Sequence, residues 1–262
     1  MSPSTTRSLP SFLALLLACA TLRPAPACAG PAVQALLDAY ASVPQLSCEH
    51  RRDIQSGDGN TVRFLSRIWF RRPDRLHAQN LSPMKRRTVC DGTVLRQYTE
   101  GLPRGFARPV TELDGEALTN LRMLPGSNSN WLEPLRDLPE TDIPPPDGDS
   151  SPGRRIAIHQ PGTAYTILSF DESNRWTRLE MYTSPAMTDR LLLADFSDFS
   201  EILPGIWIAL RQSIELSMEG ASRTETVRID NLSATAPIPD SMFDPTPFFQ
   251  GVTFTDSFDK MF

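Results

Sequence analysis

The run IWIALRQSIELSM, residues 206–218, alternates apolar and polar side chains with a period of two. Ile208, Leu210, Ile214 and Leu216 fall on one face, with Arg211, Ser213 and Glu215 on the other. A β-strand with one face on a core and the other in water requires this period. The pattern recurs in TVRFLSRIWF (61–70), where Val62, Phe64, Ile68 and Phe70 share a face and Arg63, Arg67 and Trp69 oppose them. RLHAQNL, RRTVCDGTVLRQYT, RRIAIHQ, TAYTILSFD, RWTRLEMYT, DRLLLADFSDF and SRTETVRIDNLSA continue the series. SGDGN (56–60), Asp91-Gly92, Pro161-Gly162 and DESN (171–174) supply turns between them. Short strands joined by turns make an antiparallel meander, not parallel crossover units.

Two regions break the period. Val33, Leu36, Leu37, Tyr40 and Val43 recur at helical spacing, which predicts an amphipathic helix over residues 31–43. In the 101–151 insert, Leu118, Leu121 and Leu124 predict a second helix, with Thr111 as its cap and Gly126 as its stop. SNWLEPLRDLPE predicts a third, broken near Pro134. DIPPPDGDSSPG reads as an exposed loop. The fold class is therefore mainly β with helices (α+β), a curved antiparallel sheet of about ten strands. A sheet that long curls strongly, and its one apolar face must wrap around itself, the helices or a ligand.

The first residues have the grammar of a secretory signal: Arg7, an apolar run Phe12–Ala20, and Ala27-Cys28-Ala29 as the cleavage signal. Residues 1–29 are read as signal peptide, 30–250 as the folded domain and 251–262 as a C-terminal tail. Leu16-Leu17-Ala18-Cys19 also resembles a lipobox, so lipidation at Cys19 is the alternative to simple secretion. Cleavage before Gly30 leaves 24 basic against 31 acidic residues, and an acidic domain without a long basic run is a poor nucleic-acid binder. Cys48 and Cys90 remain, and an even pair in an oxidising compartment suggests a disulfide.

Catalytic and metal motifs are missing. None of His50, His77 and His159 has metal-ligand spacing, and there is no nucleophile elbow, phosphate loop or dinucleotide fingerprint. The expectation is no metal, no cofactor and no enzyme. A secreted hydrolase on a curved β scaffold is the competing class.

The order of motifs resembles the LolA-like superfamily of periplasmic outer-membrane lipoprotein carriers, which includes the LolB-like branch. IWFRRPDRL, CDGTVLRQY, FSEILPGIWIALRQSIE and NLSATAPIPDSMFDPTP, with Phe243 to Pro247, carry the likeness over residues 31–247. Ala209 stands where some relatives have proline, and the tail FFQGVTFTDSFDKMF does not match, so the chain reads as a diverged member. The resemblance implies a half-barrel with a helical lid over an apolar cavity that shields acyl chains of lipoproteins or other lipids. Arg72 matches the family arginine that latches the lid, and Trp69 and Leu76 match the cavity wall. Strand periodicity adds Phe64, Ile68, Phe70, Leu168, Leu210 and Ile214 to the lining. Implied partners are an inner-membrane releasing complex and an outer-membrane acceptor, with the carrier a monomer. A tethered acceptor and an envelope sensor are other roles on this fold.

Overall fold

Fourteen strands, not about ten, form one curved, open sheet in the computed structural model, which describes residues 32–145, 153–218 and 221–257. Helix α1 (Ala32–Ser42) leads into β1 (Gln45–Ser56), β2 (Thr61–Arg71), β3 (Arg75–Ser82), β4 (Arg86–Asp91), β5 (Val94–Thr99) and β6 (Gly105–Pro109). Helices α2 (Gly115–Arg122) and α3 (Ser129–Leu132) follow. The chain returns to strands as β7 (Glu140–Ile143), β8 (Gly153–Ile158), β9 (Tyr165–Asp171), β10 (Trp176–Tyr182), β11 (Arg190–Leu203), β12 (Ile206–Met218), β13 (Ala221–Ser233) and β14 (Phe254–Thr255). The signal peptide, Cys19 and the middle of the proline-rich loop lie outside the described residues.

The sheet order is β14-β6-β5-β4-β3-β2-β1-β13-β12-β11-β10-β9-β8-β7. Two antiparallel meanders are joined where β1 pairs with β13. The first runs outward to β6, and the second runs inward from β7. The helical insert must therefore carry the chain from one half of the sheet to the far edge of the other, and it does so over the apolar face.

Directly opposed residues share a face, so the register assigns the two sides. Leu46, Phe70, Leu76, Cys90 and Leu95 form one row across β1 to β5. On the other half, Ala194, Leu179, Leu168 and Ile156 form another. These rows face the helices. Val33, Leu37 and Tyr40 of α1, with Leu124, Leu132 and Leu135 from the insert, complete one core with Leu46, Phe70 and the Ala194–Ile156 row. A smaller core joins Cys90 and Leu121, with Leu118 of α2 packed against it.

Local chemistry sets the turns and caps. Gly59 holds φ +86° in the β1–β2 turn, and Gly92 holds φ +100° after Asp91, whose Oδ1 accepts from the Thr93 and Val94 amides. Asp114, not Thr111, caps α2, its Oδ1 accepting the Ala117 amide at 2.7 Å. That helix ends at Arg122, before Gly126, which turns the chain at φ +79°. An added Cβ at Gly126 would meet the Ile229 Cδ1 at 2.6 Å, so the turn lies against the sheet. Residues 251–257, read as a tail, do not all trail from the domain, because Phe254 and Thr255 pair in parallel with Gly105 and Phe106 of β6.

Candidate functional site

The helix-covered face collects most of the expected lining. Phe70, Leu168 and Ile214 are buried in the core under the helices, and Ile68, Leu76 and Leu210 pack partly buried against it. Phe64 shares the face but lies beyond that core, level with Arg52 on β1 and near the 43%-exposed Val62. Trp69 is a correction. Its register partner is His77, and both lie on the opposite, convex face, with ring centroids 5.0 Å apart. Period two places Trp69 between Ile68 and Phe70 but pointing away from them.

The helices plug this face. Cavities that hold drug-sized ligands span about 300–1,000 Å³. The pocket bounded by Trp131, Ile214 and Val227 on the helix side has about 150 Å³. Opening the helices would expose side chains such as Val33, Leu37, Leu124 and Leu132, each contributing about 1.5–3 kcal/mol when buried. An apolar ligand taking their place would have to offset that exposure with its own buried surface.

Polar clamps at the ends of the helices decide how firmly the plug is held. Arg72 follows β2 at the corner with β3. Its Nε donates to the Val43 carbonyl at 3.1 Å and its Nη2 to the Tyr40 carbonyl at 3.0 Å, both at the end of α1. Its Nη1 donates to the Arg122 carbonyl, the end of α2, at 3.0 Å. Helix C-termini leave carbonyls without intrahelical donors and carry partial negative charge, so one planar guanidinium satisfies two helix ends together. The guanidinium also sits 5.3 Å from the Phe70 ring centroid. Partial burial pushes its pKa below the usual arginine value, though a guanidinium remains charged at any physiological pH. Arg122 returns the contact through its own side chain, which donates to both Asp74 carboxylate oxygens at 2.6 and 3.2 Å.

The other end of α1 is held by a residue that sequence reading missed. Glu140 on edge strand β7 accepts the Ala32 amide at 3.0 Å and the Val33 amide at 2.9 Å. A carboxylate there complements the positive end of the helix dipole. No local pattern announces it, because 107 and 108 residues separate the partners.

Arg71 works on the convex face. It donates to the Asp240 carboxylate and the Ile238 carbonyl and lies over the Phe243 ring at 5.2 Å. Arg75 reaches the same carboxylate at 3.0 Å. His77 is buried there between Trp69 and Phe248, 4.6 Å from the latter's ring. Burial, assisted by the Arg87 charge, pushes His77 down to about 4, so its ring is neutral at pH 7. These contacts strap the C-terminal segment onto the sheet. Further along the convex surface, Arg63–Asp53, Arg67–Glu49 and Arg178–Asp195 are cross-strand ion pairs that water screens.

The expected disulfide is also corrected. Cys48 and Cys90 are free, buried thiols in different cores. They lie on β1 and β4 with β2 and β3 between, and three gaps of about 4.8 Å exceed the roughly 7 Å that a disulfide can span between Cα atoms. Burial pushes their pKa values up to about 12 and about 11. Among the described residues, no group of three or more His, Cys, Asp or Glu is placed to hold a metal ion, and no helix is long and apolar enough to cross a membrane.

No protein-family model matches the chain, and no curated protein matches it by sequence. Solved structures do match it by fold. A LolA superfamily protein from Nitrosomonas europaea superposes with a TM-score of 0.51 at 12% identity, covering 82% of this chain and 99% of its own. A DUF1329 family protein from Desulfovibrio piger gives 0.52 at 12% identity, covering 82% and 95%. An outer membrane lipoprotein-sorting protein domain from Vibrio parahaemolyticus gives 0.50 at 8% identity, covering 82% and 96%. The chain has a LolA-like fold, an α+β half-barrel with a helix-covered apolar face.

Proposed function

We propose that this LolA-like half-barrel is a periplasmic carrier that takes acyl chains of lipoproteins, or other lipids, under its helices and escorts them toward the outer membrane. One observation carries the reading. The apolar face is covered by helices whose three ends are tied by side-chain clamps, Arg72 with Asp74 at one corner and Glu140 at the far edge. Such a cover opens by releasing a few hydrogen bonds and exchanging one set of apolar contacts for another. In this account Arg72 is the latch, and Phe64, Ile68, Phe70, Leu76, Leu168, Leu210 and Ile214 contact the chains once the helices lift. The named neighbours, a LolA superfamily protein and a lipoprotein-sorting domain, support the same reading.

The protein is then a binding protein without a catalytic step, and its partners are an inner-membrane source and an outer-membrane acceptor of acylated cargo. The test is saturable binding of an apolar fluorophore, dodecylpyrene, by the secreted domain, with displacement by a triacylated lipopeptide. Binding that the lipopeptide displaces is the expected result. A correctly folded protein with no saturable binding would exclude a carrier.

A further inference from the structure

Gln212 sits on β12 with only 4% of its surface exposed, and its Nε2 has no hydrogen-bond partner in the structure. A buried amide without an acceptor leaves its lost hydration uncompensated, a penalty that stands in a core unless something else meets it. Register places the side chain on the helix-covered face, level with Phe196 on one side and Val227 on the other. There it lines the small pocket beneath α3, together with Trp131 and Ile214.

The other polar groups of this pocket are already engaged or uncharged. Glu225 is buried and accepts from Arg52 at 2.6 Å and from Arg223. Burial first, and then the Arg52 charge, pushes His50 down to about 4, so it adds no positive charge at pH 7. Asn128 and Asn130 add neutral amides that are half-buried and exposed, so the buried donor left without a partner is the neutral N–H of Gln212, beside an indole and two aliphatic side chains. Its complement is a neutral acceptor flanked by hydrocarbon.

We infer that Gln212 marks a subsite for the ester or amide carbonyl of an acylated ligand, at the point where its hydrocarbon chain meets its polar head. The inference rests on the lipid-carrier reading and adds the polar end of the ligand to it. With the carbonyl on the Gln212 Nε2, the chain extends under the helices along the Phe196 and Ile214 rows, and the head emerges past Trp131 toward the exposed end of β1 and β2. A free carboxylate fits less well, because its charge would lose water on entry and Arg52, the cation of the same pocket, is already paired with Glu225.

Three probes test this on the secreted domain: dodecylpyrene, which has no carbonyl; pyrenedodecanoate, a carboxylate; and its methyl ester. Wild type should bind the ester more tightly than either of the others. Gln212→Met keeps the length and removes the donor. It should weaken the ester about fivefold, the change given by one typical neutral hydrogen bond, and leave dodecylpyrene within about twofold. Its melting temperature should hold or rise, since an unpaired buried donor is removed, whereas a purely structural Gln212 would make it fall. Equal changes for ester and hydrocarbon, or no preference for the ester in wild type, would overturn the subsite alone. Failure of wild type to bind any of the three would overturn the carrier reading with it.

Discussion

The Arg72 guanidinium and the Arg122 main-chain carbonyl lie 3.0 Å apart across 50 residues of sequence, and the Arg122 side chain answers by pairing with Asp74, two residues after Arg72. The β2–β3 corner and the end of α2 thus hold each other twice. Because Arg72 also takes the Tyr40 and Val43 carbonyls, one residue links both major covering helices to the sheet.

Arg72→Leu should loosen the cover without unfolding the sheet. Of the three acceptors of Arg72 only the Arg122 carbonyl lies in residues 115–135, and that bond is exposed, so opening of this segment should become easier by about 1 kcal/mol, with the end of α1 at Tyr40 and Val43 loosening as well. Amide hydrogen exchange in that segment should accelerate while β11 to β13 stay protected. Arg72→Lys should lie between, since an ammonium keeps the charge and loses the fork. Unchanged exchange would reduce Arg72 to a surface charge.

Arg71→Leu should do something different. Its contacts are to Ile238, Asp240 and Phe243, so exchange should rise over residues 238–255 and remain near wild type over 115–135. The two adjacent arginines serve opposite faces, and similar exchange maps for both variants would contradict that division.

Glu140→Ala should remove the acceptor of the Ala32 and Val33 amides and cost about 1 kcal/mol, the usual value of a helix cap. Faster exchange at the start of α1, together with a higher dissociation rate for bound dodecylpyrene, is the expected pair of results. An unaltered start of α1 would show that water replaces the carboxylate at no cost.

His77 makes the convex strap sensitive to acid. Its folded value of about 4 lies below the ordinary 6.5, so the unfolded chain binds the extra proton first as pH falls. The stability at stake is full above about pH 6.5 and is lost as pH drops toward about 4; His50 acts in the same direction. His77→Phe keeps a ring between Trp69 and Phe248 and removes the titration. The urea midpoint should fall less between about pH 7 and about pH 4.5 than in wild type, by the equivalent of about 1–3 kcal/mol. Parallel slopes for the two proteins would show that His77 does not carry the acid response.

Much of this architecture is legible in the sequence because period two is strong where one face is buried and the other wet, as in β2 and β12. It fails where that contrast fades. Strand β1 escapes because its inner row passes from Leu46 and Cys48 to His50 and Arg52, and the last two are polar. The short strands β6, β7 and β14 carry too few residues for any period, and β7 adjoins prolines. Arg72 emerges only through the resemblance of IWFRRPDRL, since no spacing rule distinguishes it from Arg71. Trp69 shows the reverse case, where alternation alone places it outside and the resemblance misplaces it. Glu140 and Gln212 are invisible beforehand because their roles come from chain crossings and from burial.

The cysteines provide a chemical check on the strand order. Denatured, unreduced protein should titrate with two thiols in the segment 32–257, and reductant should leave the melting temperature unchanged. A Cys48–Cys90 bond would require β1 and β4 to be neighbours.

If the helix-covered face holds lipid, native mass spectrometry of the protein purified gently from its own envelope should detect it. The expected spectrum contains a population heavier than the bare chain by an acylated ligand, and loses that added mass when a triacylated lipopeptide is supplied in excess. Bare protein alone, from an intact fold and before any exchange with detergent, would contradict it.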